Sequence, residues 1–229
     1  GARASALVAA LGRAGVAVFA RDGHSADATA RGGRAHLPAV AEHAVVAPSV
    51  PYGVTDYASG FAGAIGVPAE ALTAMLRGIA EKLLACGFQH VCFVNNHLEP
   101  AHDAAVRASI AELAKGKASV ACPLTRRWGR TLSDEFKRGD CHAGRYETSL
   151  VLAAGRAVHG IIGDLPTVGL SLADAIKAGK KTFAEIGMDR AYTGAPSEAT
   201  AIEGDDLYGR LVTMVVTEIK EGLAERGQD

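Results

Sequence analysis

Short apolar runs alternate along the chain with longer segments of helical period, the pattern of a mainly parallel sheet covered by helices. The runs Val16 to Ala20, Ala44 to Ala47, His90 to Val94 and Ala118 to Cys122 predict strands. Between the second and third, a helix opening at Pro68 places Leu72, Met75, Leu76, Ile79, Leu83 and Leu84 on one face and should stop at Gly87 as a left-handed cap. A second helix is predicted from Pro100 through Ala104 to Ala114. The last, from Asp205 to Arg226, carries an apolar stripe of Leu207, Leu211, Val212, Val215, Val216 and Ile219. The stretch from Leu165 to Pro196 lacks a regular period and reads as loop-rich. A chain of 229 residues patterned this way is expected to form one domain, residues 1–229, a layered α/β/α sandwich around a mainly parallel sheet.

Charge narrows the partners. The chain holds 24 basic and 25 acidic residues without a long run of either sign, so no footprint for nucleic acid or an acidic membrane surface is expected, and a small molecule is the expected partner. The apolar N-terminal stretch is interrupted by Arg3, Arg13 and glycines, which excludes a transmembrane span there and argues against a signal peptide. Cys86, Cys92, Cys122 and Cys141 form neither a C-x-x-C pair nor a dense framework, and read as reduced thiols of a cytoplasmic protein. The glycine cluster from Gly60 to Gly66 has G-x-x-G-x-x-G spacing and no strand before it, so it is not a dinucleotide fingerprint.

Two polar clusters could carry chemistry. In FVNNHLEP, residues 93–100, a strand ends where a helix begins, the place at which parallel sheets collect ligands. In an extended loop His97 and Glu99 would project the same way and could serve a metal ion; alternatively Asn95, Asn96 and Glu99 cap the following helix. In GDCHAGRYETS, residues 139–149, Asp140, His142 and Glu147 could supply a general acid or base with an orienting group, or Glu147 could simply cap the helical run SLVLAA. His90 and His102 read as structural. Trp128 could line a substrate pocket or serve packing.

Together these clusters resemble the creatininase family of metal-dependent amidohydrolases. Asp140 to Ser149 matches the family's D-x-H-A-G-x-x-E-T-S at every named position, and Asn95 to Pro100 is similar to its N-G-H-x-x-N turn in the H-x-E version of creatinine amidohydrolase. Pro48, Tyr52, Gly53, Phe61 and Gly63 resemble its P-x-x-x-Y-G and Phe-x-Gly segments, and residues 194–204 resemble its glycine-to-proline segment. The resemblance implies a creatininase-like α/β fold, two divalent ions (zinc, manganese or iron) bridged by an aspartate, and hydrolysis of a small amide or cyclic amide, creatinine-like or formamide-like. It implies metal ligation by His97 and Glu99, proton transfer by His142 with Glu147 and Asp140 in support, substrate contact by Tyr52, and a ring-like homo-oligomer, often a hexamer.

The chain departs from the family after its first strand, where an E-x-H-G-x-H-L-P-x-x-x-D segment should stand. Here the sequence is RDGHSADATARGGRAHLP, and counting back without gaps from PYG puts the bridging aspartate on Asp27, with His24 and Asp22 upstream. His36 with Leu37 and Pro38 copies the family's H-L-P letters without the acid and histidine before them. The expected metal set is therefore Asp27, His24, His97 and Glu99. The missing pair leaves a rival reading, a catalytically impaired member of the fold with a binding or scaffold role. A nucleotide-binding oxidoreductase would need a glycine-rich phosphate loop after the first strand, and RDGHSAD is not one.

Overall fold

The computed structural model describes residues 16–21, 44–155 and 160–226, the first of these segments as backbone. Its contacts divide the chain into two compact units, each assembled from separated segments. The first comprises residues 1–54, 67–123 and 211–229, and the second residues 55–66 and 124–210.

The first unit holds a four-stranded, wholly parallel sheet of β1 (Val16–Arg21), β2 (Ala44–Val46), β3 (His90–Asn95) and β4 (Ala118–Ala121), in the order β2-β1-β3-β4. Strands this apolar are what a sheet covered on both faces requires. Alternation along β3 sorts its side chains. Val91 and Phe93 enter a core with Leu72, Leu76 and Val106, residues of α1 (Ala69–Ala85) and α2 (Pro100–Ile110). His90 and Cys92 face the other way. There the backbone of α7 (Ala201–Glu225) comes so close that a Cβ on Gly222 would lie 2.2 Å from the His90 ring. The sheet is thus a middle layer with helices on both sides.

Helix α1 ends as its sequence predicts. Gly87 takes φ of 96°, and the amides of Gly87 and Phe88 return to Leu84 and Leu83 at 3.0 and 3.2 Å. Its buried stripe is narrower than expected: Leu72, Leu76 and Ala80 are buried, whereas Met75 sits on the flank of that stripe and is 42 % exposed. Helix α2 stops at Ile110, short of Ala114, where the chain turns through Gly116 with φ of 72° into β4. Along α7, Leu207, Leu211, Val215 and Ile219 are buried on one stripe, and the helix begins four residues earlier than predicted, at Ala201 instead of Asp205.

The second unit is built of short helices: α3 (Arg126–Gly129), α4 (Asp134–Arg138), α5 (Arg145–Ala153), α6 (Leu172–Lys177) and residues 201–210 of α7. Ser133 caps α4 by accepting from the Phe136 amide, and Gly139, with φ of 81°, ends it. Residues 165–196 are loop-rich as expected, held by an isolated antiparallel bridge between Val168 and Gly194. The segment from Thr55 to Gly66 joins this unit through Tyr57, whose carbonyl accepts from the Phe183 amide at 2.8 Å.

Candidate functional site

The strand order places a switch point between β1 and β3, since β1 is followed by β2 on one side and β3 by β4 on the other. Open parallel sheets bind ligands outside the carboxyl ends at such a point. Arg21 at the end of β1 pairs in register with Asn95 at the end of β3, so Asp22 and Asn96 are the next residues of two adjacent strands. Asp27 and His24 lie six and three residues beyond Arg21 and fall outside the described residues.

Beyond β3 the chain forms a tight polar turn. The Asn95 side-chain oxygen accepts from the His97 amide at 2.9 Å, and its nitrogen points to Asp103 of α2 at 3.4 Å. His97 Nε2 lies 2.8 Å from the Val54 carbonyl oxygen. A carbonyl only accepts, so Nε2 carries the proton and the ring's lone pair is on Nδ1. The same Nε2 lies 3.8 Å from Glu99 Oε2, and the ring stands edge-on to His102, with ring centroids 4.9 Å apart. His102, read from the sequence as structural, is 1 % exposed and is part of this cluster.

The position of Glu99 bears on the capping reading of the turn. It stands at the N-cap of α2, but its side chain makes no capping hydrogen bond. Instead the carboxylate, in a residue only 7 % exposed, turns toward His97. Next to it, both polar atoms of the Asn96 amide are buried with no hydrogen-bond partner among the described residues. Among the described residues no group of three or more His, Cys, Asp or Glu converges on a metal position. His97 and Glu99 do provide a nitrogen and an oxygen donor of the types zinc and manganese accept, but Glu99 faces Nε2, so an ion shared by the two requires Nε2 to give up its bond to the Val54 carbonyl.

The second cluster lies in the other unit. Asp140 is nearly buried, with Oδ2 3.3 Å from Arg138 Nε and Oδ1 without a hydrogen-bond partner among the described residues. The imidazole of His142 rests on Phe183, centroids 4.7 Å apart, and Tyr57 and Phe61 flank the same phenyl ring. Ala143 takes φ of 47°, a conformation that favours glycine, and its amide donates to Glu147 Oε2 at 2.8 Å. Glu147 therefore secures the turn holding His142 and also serves the first turn of α5, where its negative charge meets the positive helix end. The Cys141 thiol beside it is pushed well above its ordinary value, first by burial and then by the charges of Glu147, Glu135 and Asp140.

Of the two proposed substrate-side aromatics, Tyr52 is 53 % exposed, whereas Trp128 is buried beneath Arg127, whose guanidinium carbon is 4.5 Å from the ring centroid. Sequence reasoning missed Glu135. Its carboxylate is buried within the second unit and accepts from three backbone amides. All four cysteines are free thiols, and among the described residues no helix is long and apolar enough to cross a membrane.

A model of the creatininase (creatinine amidohydrolase) family matches residues 17–219. The chain belongs to this family. Among related proteins, the mycofactocin precursor peptide peptidase of Mycobacterium tuberculosis is 30 % identical over 189 residues, spanning 80 % of this chain and 68 % of that protein. The Mycobacterium ulcerans protein of the same name is 29 % identical over 182 residues, 76 % and 65 % of the two chains. Solved creatininases share the fold at lower identity. A creatinine amidohydrolase superposes with a TM-score of 0.59 at 19 % identity over 97 % of this chain and 95 % of that one, and a manganese creatininase gives the same values. A Zn-Zn type mutant creatininase gives a TM-score of 0.59 at 18 % identity over 97 % and 96 %. The α/β fold expected of a creatininase is thus the fold observed.

Proposed function

We propose that this creatininase-family protein is a metal-dependent amidohydrolase that cleaves a C–N bond of an amide by water attack on the carbonyl. The observation that carries the reading is the buried Glu99 carboxylate, which leaves its own helix uncapped and turns to His97 at the carboxyl end of β3. His97 and Glu99 would hold divalent cations, two in number, together with Asp27 and His24 from the segment that leaves the neighbouring strand. Zinc, manganese and iron all suit mixed nitrogen and oxygen donors, and manganese and zinc appear among the structural relatives. When bound, such cations acidify water and polarise a carbonyl oxygen.

The remaining work falls to the DCHAGRYETS turn. His142, seated on Phe183, delivers a proton to the departing nitrogen. Glu147 fixes the turn through the Ala143 amide, and Asp140 keeps one carboxylate oxygen available for orientation. Tyr52 and Trp128 are assigned to the substrate side, Tyr52 being the accessible one. The reading takes residues 1–229 as a single domain. A cytoplasmic homo-oligomer, a hexamer among the options, completes the reading.

A peptide amide is the first substrate to try, because the 30 %-identical relative is a peptidase of the mycofactocin precursor peptide, while the creatininases lie below 20 % identity. The test loads the purified protein with zinc or manganese and follows release of the amine from three substrates: that precursor peptide, creatinine, and a formamide-type compound. Turnover that requires metal and is abolished by Glu99→Ala and His142→Ala supports the reading. No bound metal and no turnover on all three would instead favour a catalytically impaired scaffold.

A further inference from the structure

We infer that Glu135 is the positioning residue of the catalytic turn, holding His142 in place through backbone amides of the segments that flank it. The inference rests on the assignment of His142 to proton transfer. Glu135 lies on α4, five residues before Asp140, in a helix that Gly139 ends abruptly. Its carboxylate is 5 % exposed. Oε1 accepts from the Arg145 amide at 3.0 Å and the Ala195 amide at 2.8 Å, and Oε2 accepts from the Tyr146 amide at 2.6 Å.

These amides belong to the two segments that bracket His142. Arg145 and Tyr146 open α5, directly after the His142 turn, where helix amides lack intrahelical partners. Ala195 ends a segment whose Thr193 amide donates to the His142 carbonyl at 2.8 Å. Glu135 thus ties the end of the turn to the strand-like segment that holds its middle. Two glycines make room for it. A Cβ on Gly194, whose φ is 73°, would lie 2.0 Å from Glu135 Oε1, and one on Gly144 would lie 2.8 Å from the same oxygen. A carboxylate is the side chain suited to this place, because it offers acceptors at both ends. The amide of Gln would present a donor to at least one backbone N–H, and Asp would fall a methylene short of reaching all three.

The turn needs such support. Ala143 is in the left-handed region, which a non-glycine residue keeps only when its surroundings dictate it. Displacing a proton-transfer group by about 1 Å is enough to cost on the order of 100-fold in rate.

The test compares the zinc-loaded full chain with Glu135→Gln and Glu135→Asp, reading two signals. The first is the His142 Hε1 resonance, whose ring-current shift reports its seat on Phe183. The second is kcat and KM on whichever of the precursor peptide, creatinine or formamide-type compound is turned over. Expected in both variants are wild-type zinc content, a His142 resonance moved toward its solvent-exposed value, and kcat lowered by about 10- to 100-fold with KM little changed. An unmoved resonance with wild-type kcat overturns the inference. A His142→Ala protein that remains fully active would sink the proton-transfer assignment instead, while the resonance still decides whether Glu135 positions the ring. Should neither variant fold, hydrogen exchange on the wild-type chain decides: the amides of Arg145, Tyr146 and Ala195 should be strongly protected, and exchange at the rate of open turns overturns the clamp.

Discussion

Replacing Gly204 by Ala tests how tightly α7 holds the helix that follows the His142 turn. A Cβ at this position would lie 2.0 Å from the Ser149 carbonyl oxygen and 2.6 Å from the Ala153 Cβ, both on α5. Neither neighbour is the end of a flexible side chain, so relief requires the two helices to part by about 1.4 Å, the distance back to ordinary contact. Overpacking of this kind costs about 1–3 kcal/mol, and a clash with backbone falls in the upper part of that range. Against it stands the helix propensity gained on replacing glycine, about 1 kcal/mol. The net expectation is a loss of about 1–2 kcal/mol, which for a chain of this size lowers Tm by roughly 2–8 °C. Parting the helices also strains the Ser149 hydroxyl, which donates to Glu203 at 2.9 Å and accepts from the Thr200 amide at 3.1 Å. Gly209→Ala is the matched control on the same helix, because a Cβ there meets nothing within 4 Å. With only the propensity gain, its Tm should rise by roughly 2–4 °C. Calorimetry on the three proteins decides: a Gly204→Ala chain melting at or above wild type, or a Gly209→Ala chain falling equally far, would refute the reasoning.

Two further outcomes follow from buried side chains. His90, enclosed between the Gly116 carbonyl at 2.9 Å and the Ser119 hydroxyl at 2.8 Å, has its pKa lowered, chiefly by burial. Its folded value lies below the unfolded value of 6.5, so its contribution is fully present above pH 6.5 and is lost as pH falls toward the folded value; urea midpoints should fall over that range in wild type and fall less in His90→Gln. Leu72→Ala, at a core position of α1 that is 1 % exposed, should cost about 2–5 kcal/mol in urea unfolding, whereas Met75→Ala on the exposed flank of the same helix should cost under about 1 kcal/mol.

The sheet and its helices were legible because their signals are local. Each predicted strand appears within one residue of its expected ends, and the break at Gly87 follows from one glycine taking a conformation other residues avoid. What the sequence could not reveal depends on distant partners. Glu135 resembles any acidic residue in a short helix first turn, and its significance lies in amides ten, eleven and sixty residues away. His102 looked satisfied by its helix neighbours, yet its ring meets that of His97. The capping reading of Glu99 was equally sound on spacing alone, and only the direction of its side chain shows that it makes no cap. The resemblance carried by DCHAGRYETS and NNHLEP correctly indicated the family, because those letters specify a turn and its chemistry together.

The central claim is that a cation joins the carboxyl ends of β1 and β3. Crystals grown with zinc and measured at the zinc absorption edge test it most directly. The account predicts anomalous peaks bonded to His97 and Glu99, with the Asp27 carboxylate completing the coordination. Peaks that avoid His97, or a structure in which Asp27 stands remote from it with no ion between, would contradict the account.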